Sequence, residues 1–427
     1  MIVFLVILCL FILLALGAPV GFAMAIAGGG GLWLIGGPDM LFGILRTSPL
    51  SVVGSYELLT IPMFLLMAEL VLASGVADDL FRAAAAWIGR VPGGLGMATA
   101  LAGAGFGAIC GSSTASAATL SSTSLPAMLK QGYEPRMAAG VVAISGTLSM
   151  LLPTSVALVL YGLLADVNIG KLLVSGIIPA IFVTLTIMAT ILFLVWQDPS
   201  RAPSLSNVTM REKFELLKSV GPMLLLFGIV TGVIYTGIAT PTEASAFGAS
   251  GAFLLALYRG RLDRQTLRYA FTHAAQGTCM ITMILVGASI FTYFFTLTQS
   301  TQDLVHWVGQ LAVSRWVIIF LILCGYIILG SFMDQIAILV LTVPIVLPLI
   351  KSLGFDPIWF GVIKIVTAEV GMITPPIGLN CFIVARYTNL PVVEVFHGIL
   401  PHFIAHLIII AILVAFPSII LWLPSRM

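Results

Sequence analysis

The sequence predicts an all-α polytopic membrane protein built of two inverted repeats, each with five crossings and one re-entrant hairpin. Three observations predict it. The 427 residues are 60% hydrophobic and 8% charged, with a mean hydropathy of +1.14, whereas a soluble domain carries about 25% charge. Laid on itself at one constant offset, the chain aligns on backbone-determining residues: Pro19 with Pro241, Gly29 with Gly251, Pro126 with Pro348, Pro153 with Pro375 and Pro179 with Pro401. Proline fixes φ and glycine frees it, so these matches record a duplicated conformation. Finally, each half holds a pair of apolar pieces too short to cross a bilayer comfortably, where a span needs roughly 20 residues.

The first repeat covers residues 1–205. Its opening, "MIVFLVILCLFILLALG", lacks a basic n-region and reads as a first span rather than a signal peptide. Spans at 2–16, 20–36 and 59–74 make up the segment 1–75, and an amphipathic helix follows at 76–91. Two short apolar pieces then meet at "CGSSTAS" and form a hairpin over 93–129. A span broken at "SMLLPTS" occupies 136–164 and a full span occupies 172–196. Residues 206–218 are a polar linker. The second repeat, 219–427, has the same order: spans at 219–238, 241–258 and 274–297 within the segment 219–297, an amphipathic helix at 300–312, a hairpin at 314–351 with its tip at "GSFMDQ", a span at 357–386 broken at "GMITPPIGLN", and a last span at 391–423.

Five crossings per half place the second half upside down relative to the first, an arrangement found in secondary transporters. In this parse thirteen Lys and Arg residues, including Arg82, Arg136, Arg211 and Arg259, fall on one side. Five fall on the other: Arg46, Lys171, Arg315, Lys351 and Arg426. The positive-inside rule makes the first side cytoplasmic and sends both termini outward. A net charge of +2 without a basic, aromatic-interleaved patch gives no sign of a nucleic-acid partner. The five cysteines lie in apolar segments as small buried residues, and no cofactor is expected. His402 and His406 are one turn apart with no third ligand nearby in sequence, so Na⁺ is the only metal expected.

Breaks at membrane depth carry the functional reading. Unpaired backbone groups cost several kcal/mol each in lipid, so irregular backbone survives only inside protein or against a watery cavity. There it provides carbonyls for a cation and N–H groups for an anion. The four breaks lie in register, with Ser112 opposite Asp334 and Pro153 opposite Pro375. The expected sodium-binding residues are Ser112, Ser113, Ser149, Pro153, Asp334, Gly371 and Thr374. Substrate contacts are expected from Ser113, Thr114, Thr154, Ser155, Pro376, Asn380 and Arg386. An acid within a span tends to face function, which singles out Asp334. Glu369 is expected to pair with Lys364 on its own helix, and Glu243 to serve the first turn of the helix that follows Thr240. Neither Ser112 nor Ser113 has a histidine within its own half's breaks, so no enzyme is expected. An ion channel would need a repeated polar pore helix, and the chain has none.

At "GSSTASAA" (111–118), "ATPTEASAFGA" (239–249), "LGFDPIWFGV" (353–362) and "GMITPPIGLN" (371–380) the chain resembles the DctM-like large membrane subunit of TRAP, tripartite ATP-independent periplasmic, transporters. One departure is Thr367, where the family pattern leads one to expect an asparagine. The resemblance implies an elevator-type ion-transporter fold in the bacterial inner membrane, importing an organic acid on a sodium gradient. It implies a periplasmic substrate-binding protein and a separate small four-helix membrane subunit as partners. It also implies that the hairpins and broken spans move, while the spans of 1–75 and 219–297 act as scaffold and the amphipathic helices as arms. A stand-alone sodium–dicarboxylate or citrate symporter of similar design is the alternative.

Overall fold

Helices account for nearly all of the computed structural model, which describes residues 1–204, 209–311 and 313–427; no strand occurs among them. The first half runs α1 (Ile2–Ala15), α2 (Val20–Val53), α3 (Thr60–Ala73), α4 (Val76–Ile88), α5 (Gly94–Cys110), α6 (Ser113–Lys130), α7 (Pro135–Thr147), α8 (Val156–Ala165), α9 (Ile169–Ser175) and α10 (Ile177–Gln197). The second runs α11 (Met210–Tyr235), α12 (Pro241–Tyr258), α13 (Arg264–Leu297), α14 (Ser300–Gln310), α15 (Arg315–Gly330), α16 (Gln335–Ser352), α17 (Pro357–Gly371), α18 (Leu379–Thr388) and α19 (Val392–Ala415). The constant offset seen in sequence recurs in the elements: α6 and α16 begin at Ser113 and Gln335, and α7 and α17 at Pro135 and Pro357.

Among the described residues, seven helices are long and apolar enough to cross a membrane. One of them is α16, the second arm of the expected hairpin at 314–351; the 14-residue α1 falls short of that length. Large apolar side chains such as Trp33, Leu185, Phe193, Leu225, Phe320 and Ile408 stand more than half exposed on the outer surface. A surface of that kind requires lipid as its solvent.

Three boundaries differ from the sequence reading. Helix α2 does not end at 36 but kinks at Gly37 (φ 70°) and continues through 38–53. Helix α13 begins well before the expected span at 274, because Asp263 caps it by accepting from the Thr266 N–H at 2.6 Å. Of the linker expected at 206–218, residues 206–208 lie outside the described residues, as does residue 312 of the second amphipathic helix. From Met210 onward the linker is helical, started by a reciprocal cap in which Thr209 Oγ1 accepts from the Glu212 N–H and the Glu212 carboxylate accepts from Thr209. The Thr209 backbone N–H and then its hydroxyl hold the Glu212 carboxyl below its ordinary range.

The two sequence repeats interlock. Helix α2 packs chiefly on α13 and α3 on α12, so both close pairs join opposite halves. Glycines allow this. A Cβ on Gly28 would lie 2.7 Å from the Phe291 Cα, and one on Gly21 would lie 2.8 Å from the Met283 carbonyl oxygen. Hydroxyl pairs, the buried Thr60 with Thr242 and the part-buried Ser48 with Ser289, each at 2.8 Å, add polar contacts between the same elements. Helix α4 is held to them by Arg259 on the C-cap of α12. Its guanidinium donates to Asp79 Oδ2 at 2.6 Å and to the Ser219 carbonyl, and Ser219 Oγ donates to the same carboxylate oxygen at 2.8 Å. Arg259, counted in the sequence as one of the thirteen basic residues of one side, therefore also ties three helices together.

Gly28→Leu should lower stability by about 2 kcal/mol or more through overpacking against the α13 backbone, read as a lower thermal midpoint in detergent. At Gly30, where nothing lies within 4 Å of the added carbon, Gly30→Ala should stay within about 0.5 kcal/mol of wild type.

Candidate functional site

Short polar residues start a helix at three of the four breaks. Ser112 caps α6, its Oγ accepting from the Ala115 N–H at 3.4 Å and lying 3.3 Å from Thr114 Oγ1. Asp334 holds the matching place on α16 and accepts from the Ile336 N–H at 3.1 Å. Ser155 caps α8 through the Leu158 N–H at 3.2 Å. Helix α18 follows Gly378, whose left-handed φ of 59° suits glycine. Ser and Asp are preferred at such positions because a side-chain oxygen satisfies an otherwise unpaired N–H.

Each tip rests on the broken span of its own half. Thr154 Oγ1 donates to the Ala108 carbonyl at 2.8 Å, and a Cβ on Gly111 (φ 61°) would crowd the Thr154 carbonyl oxygen. In the second half the Gly378 N–H donates to the Ser331 carbonyl at 3.3 Å, and a Cβ on Gly371 would come within 2.6 Å of the Gly330 Cα. The broken spans then cross over: α18 packs on α6 and α7 of the first half, and α8 packs on α16 of the second. At that crossing the buried Asn380 donates from Nδ2 to Ser113 Oγ at 2.8 Å.

A cavity of about 500 Å³ lies between these tips and the interlocked helices. Its tip walls are Gly111, Ser112 and Thr114 on one side and Asp334, Ile336 and Ala337 on the other, with Met150 and Val156 at the first break. The opposing wall is the start of α2, from Pro19 to Phe22, and the α13 face from Gly277 to Ile284. Three helix N-termini, those of α6, α8 and α16, therefore border one space, where the positive ends of their dipoles favour an anion.

The expected site residues fall into three groups. Ser112, Thr114 and Asp334 line the cavity. Ser113, Ser149, Pro153, Thr154, Ser155, Gly371 and Asn380 are buried and do not line it; Ser149 Oγ donates to the Gly146 carbonyl at 2.8 Å. Thr374, Pro376 and Arg386 stand apart from it. The Thr374 hydroxyl bonds the Val370 carbonyl at 2.6 Å, and Pro376 and Arg386 are exposed, Arg386 lying further along α18 than Asn380.

Glu369 does not pair with Lys364. Residues five apart on a helix point about 140° away from each other. Lys364 Nζ instead donates to the Leu339 carbonyl at 3.4 Å and sits 5.1 Å from the Tyr326 ring centroid. Glu369 lies in interaction range of the Ser113 side chain and of the Asp334 charge, while neither of its oxygens has a hydrogen-bond partner among the described residues. Gln335, fully buried next to the Asp334 cap, likewise leaves its amide unpartnered among them. The signal for both was a polar residue within apolar helix, adjacent to a break. Glu243 does serve its helix start, since its carboxylate accepts from the Thr240 N–H at 2.8 Å.

Comparison with known proteins agrees with this architecture. The YdaH transporter of Alcanivorax borkumensis superposes with a TM-score of 0.67 over 89% of each chain at 14% identity, a likeness of fold alone. The C4-dicarboxylate TRAP transporter large permease protein DctM of Pseudomonas aeruginosa is 33% identical over 87% of this chain and 86% of its own length. The sialic acid TRAP transporter large permease protein SiaM of Vibrio cholerae is 29% identical over 97% and 96%, respectively. The 2,3-diketo-L-gulonate TRAP transporter large permease protein YiaN of Escherichia coli is 27% identical over the same shares. The family described as "Tripartite ATP-independent periplasmic transporter, DctM component" matches residues 7–419. The chain therefore belongs to the DctM family of large membrane permease subunits of tripartite ATP-independent periplasmic transporters.

Proposed function

We infer that this permease imports an organic acid anion by sodium symport, with a periplasmic binding protein delivering the substrate and a small membrane subunit bracing the permease. It sits in the bacterial inner membrane with both termini periplasmic. One observation carries the reading: both hairpin tips and three helix N-termini border a single cavity that faces the interlocked helices. The three relatives are named for a C4-dicarboxylate, sialic acid and 2,3-diketo-L-gulonate, all carboxylates.

The helix N-termini hold the substrate carboxylate through their N–H groups and dipoles. Asp334 on the same wall would repel that anion, and bound Na⁺ removes the conflict. The ion takes oxygen ligands from the C-terminal carbonyls of the helices that end at the breaks and from hydroxyls such as Ser113. Sodium binding then draws Ser113, Asn380 and the two tips into one rigid unit, which couples the ion to the anion. The hairpins and broken spans move as that unit in an elevator cycle along α2 and α13, because the α2–α13 contact is backbone-tight and leaves little freedom of its own.

In proteoliposomes holding the permease and its small subunit, uptake from a radiolabelled panel of succinate, sialic acid and 2,3-diketogulonate should require both an inward sodium gradient and added binding protein. Sodium-driven uptake without the binding protein would instead indicate a stand-alone symporter. Asp334→Asn and Ser113→Ala should each raise the sodium concentration for half-maximal uptake about tenfold or more at unchanged protein level in the membrane. An unaltered sodium response in both variants would overturn the assigned ion site.

A further inference from the structure

A second cavity of about 640 Å³ lies further along α13 from the one at the tips. Its α13 wall is Leu285, Ser289, Thr292, Tyr293 and Thr296. Together with Gly277, Ile281 and Ile284 of the first cavity, these residues recur every three or four positions and so form one unbroken helix face. The composition of that face changes along its length. Beside the tips it is Gly, Met and Ile; two to three turns further it is Ser, Thr and Tyr.

Helices α13 and α16 both run from the first cavity to the second. Asp334, Ile336 and Ala337 border the first, and Pro344, Leu347 and Lys351 border the second. A shift of the hairpin unit toward the Thr296 end by roughly 8 to 12 residues of α13, about 12–18 Å, brings the tips opposite Thr292. Thr292 is half-buried against the cavity, and its hydroxyl has no hydrogen bond among the described residues. Two other hydroxyls on the stripe are already engaged: Ser289 accepts from Ser48 at 2.8 Å, and the Thr296 hydroxyl donates to the Thr292 carbonyl at 2.9 Å, while Tyr293 is exposed.

We propose that Thr292 hydrogen-bonds the carried organic anion in the alternate position of the hairpin unit, so that the substrate meets a hydroxyl wall at one end of the path and an apolar wall at the other. The inference rests on the sliding reading above and adds a direction to it. A ligand biases a two-state motion only by its differential contacts with the two states, and this face of α13 provides them. The substrate is held more tightly where the tips face Thr292 and released where they face Met280 and Ile284.

Two measurements on the complete system separate the inference from the reading it rests on. In a background with the five native cysteines replaced, Thr292→Cys with Ile336→Cys should crosslink under copper–phenanthroline as the system cycles, as should Ile284→Cys with Ile336→Cys. For the best-transported acid of the panel, Thr292→Val should raise KM about three- to tenfold when substrate loads from the Thr296 end, and leave KM from the other side unchanged. Thr292→Ser should restore the wild-type value. Thr278→Val, whose hydroxyl bonds the Ala274 carbonyl of its own helix at 2.7 Å, should leave both values unchanged. Crosslinking at Thr292 with an unchanged KM would overturn the substrate contact while leaving the sliding motion standing. Absence of the Thr292 crosslink, with the Ile284 crosslink present, would overturn both.

Discussion

Everything distinctive here follows from one constraint: a backbone N–H or C=O within hydrocarbon must find a partner inside the protein. Four interrupted segments would be prohibitive as isolated helices. They are tolerated because each break is packed against another element that supplies its missing bonds. Thr154 reaches the Ala108 carbonyl, and the Gly378 N–H reaches the Ser331 carbonyl. Where the chain must start a helix, Ser112, Asp334 and Ser155 occupy the caps. What remains beyond these bonds is a set of oriented dipoles around a small space.

The same constraint explains why the repeats cannot be separated. Each broken span starts in its own half and ends against the hairpin of the other. The Asn380–Ser113 hydrogen bond belongs to neither repeat alone. The long helices follow the same rule at lower polarity, as α2 with α13 and α3 with α12 pair elements from opposite halves. Without a hydrophobic force between helices in lipid, close approach at small residues is a main source of their association. The contacts at Gly21 and Gly28 are such approaches.

Polarity within the protein is distributed unequally between the halves. Ser112 and Asp334 occupy matching caps, yet only one is charged. At the same offset, Glu369 and Lys364 have Thr147 and Val142 as their first-half counterparts. Among the described residues, the one charged side chain that lines the cavity, Asp334, thus comes from the second half, and the hydroxyls that line it, Ser112 and Thr114, from the first.

Much of this was legible in the sequence, because composition and the positions of Gly and Pro are local records. An apolar chain with 8% charge must dissolve in lipid, and prolines that recur at a constant offset mark matching places in the two halves, Pro153 and Pro375 at breaks and Pro126 and Pro348 inside the continuous α6 and α16. Cap residues such as Ser112 and Asp334 could be singled out because a helix start has its own local chemistry. Pairing across the fold was not legible. Glu369 pointed to Lys364 by proximity in sequence and turned instead toward Ser113 and Asp334, since helical phase, not spacing alone, decides what a side chain meets. Pro376 and Arg386 lie in or just after a conspicuous motif yet stand away from the cavity, whereas Met280 and Ile284 line it with no motif at all. That helices break, and at which residues, is written in the local order of Gly, Pro and cap side chains. Which breaks come together, and which helix faces them, depends on long-range packing, because only the crossing of the two halves brings those backbone ends to one place.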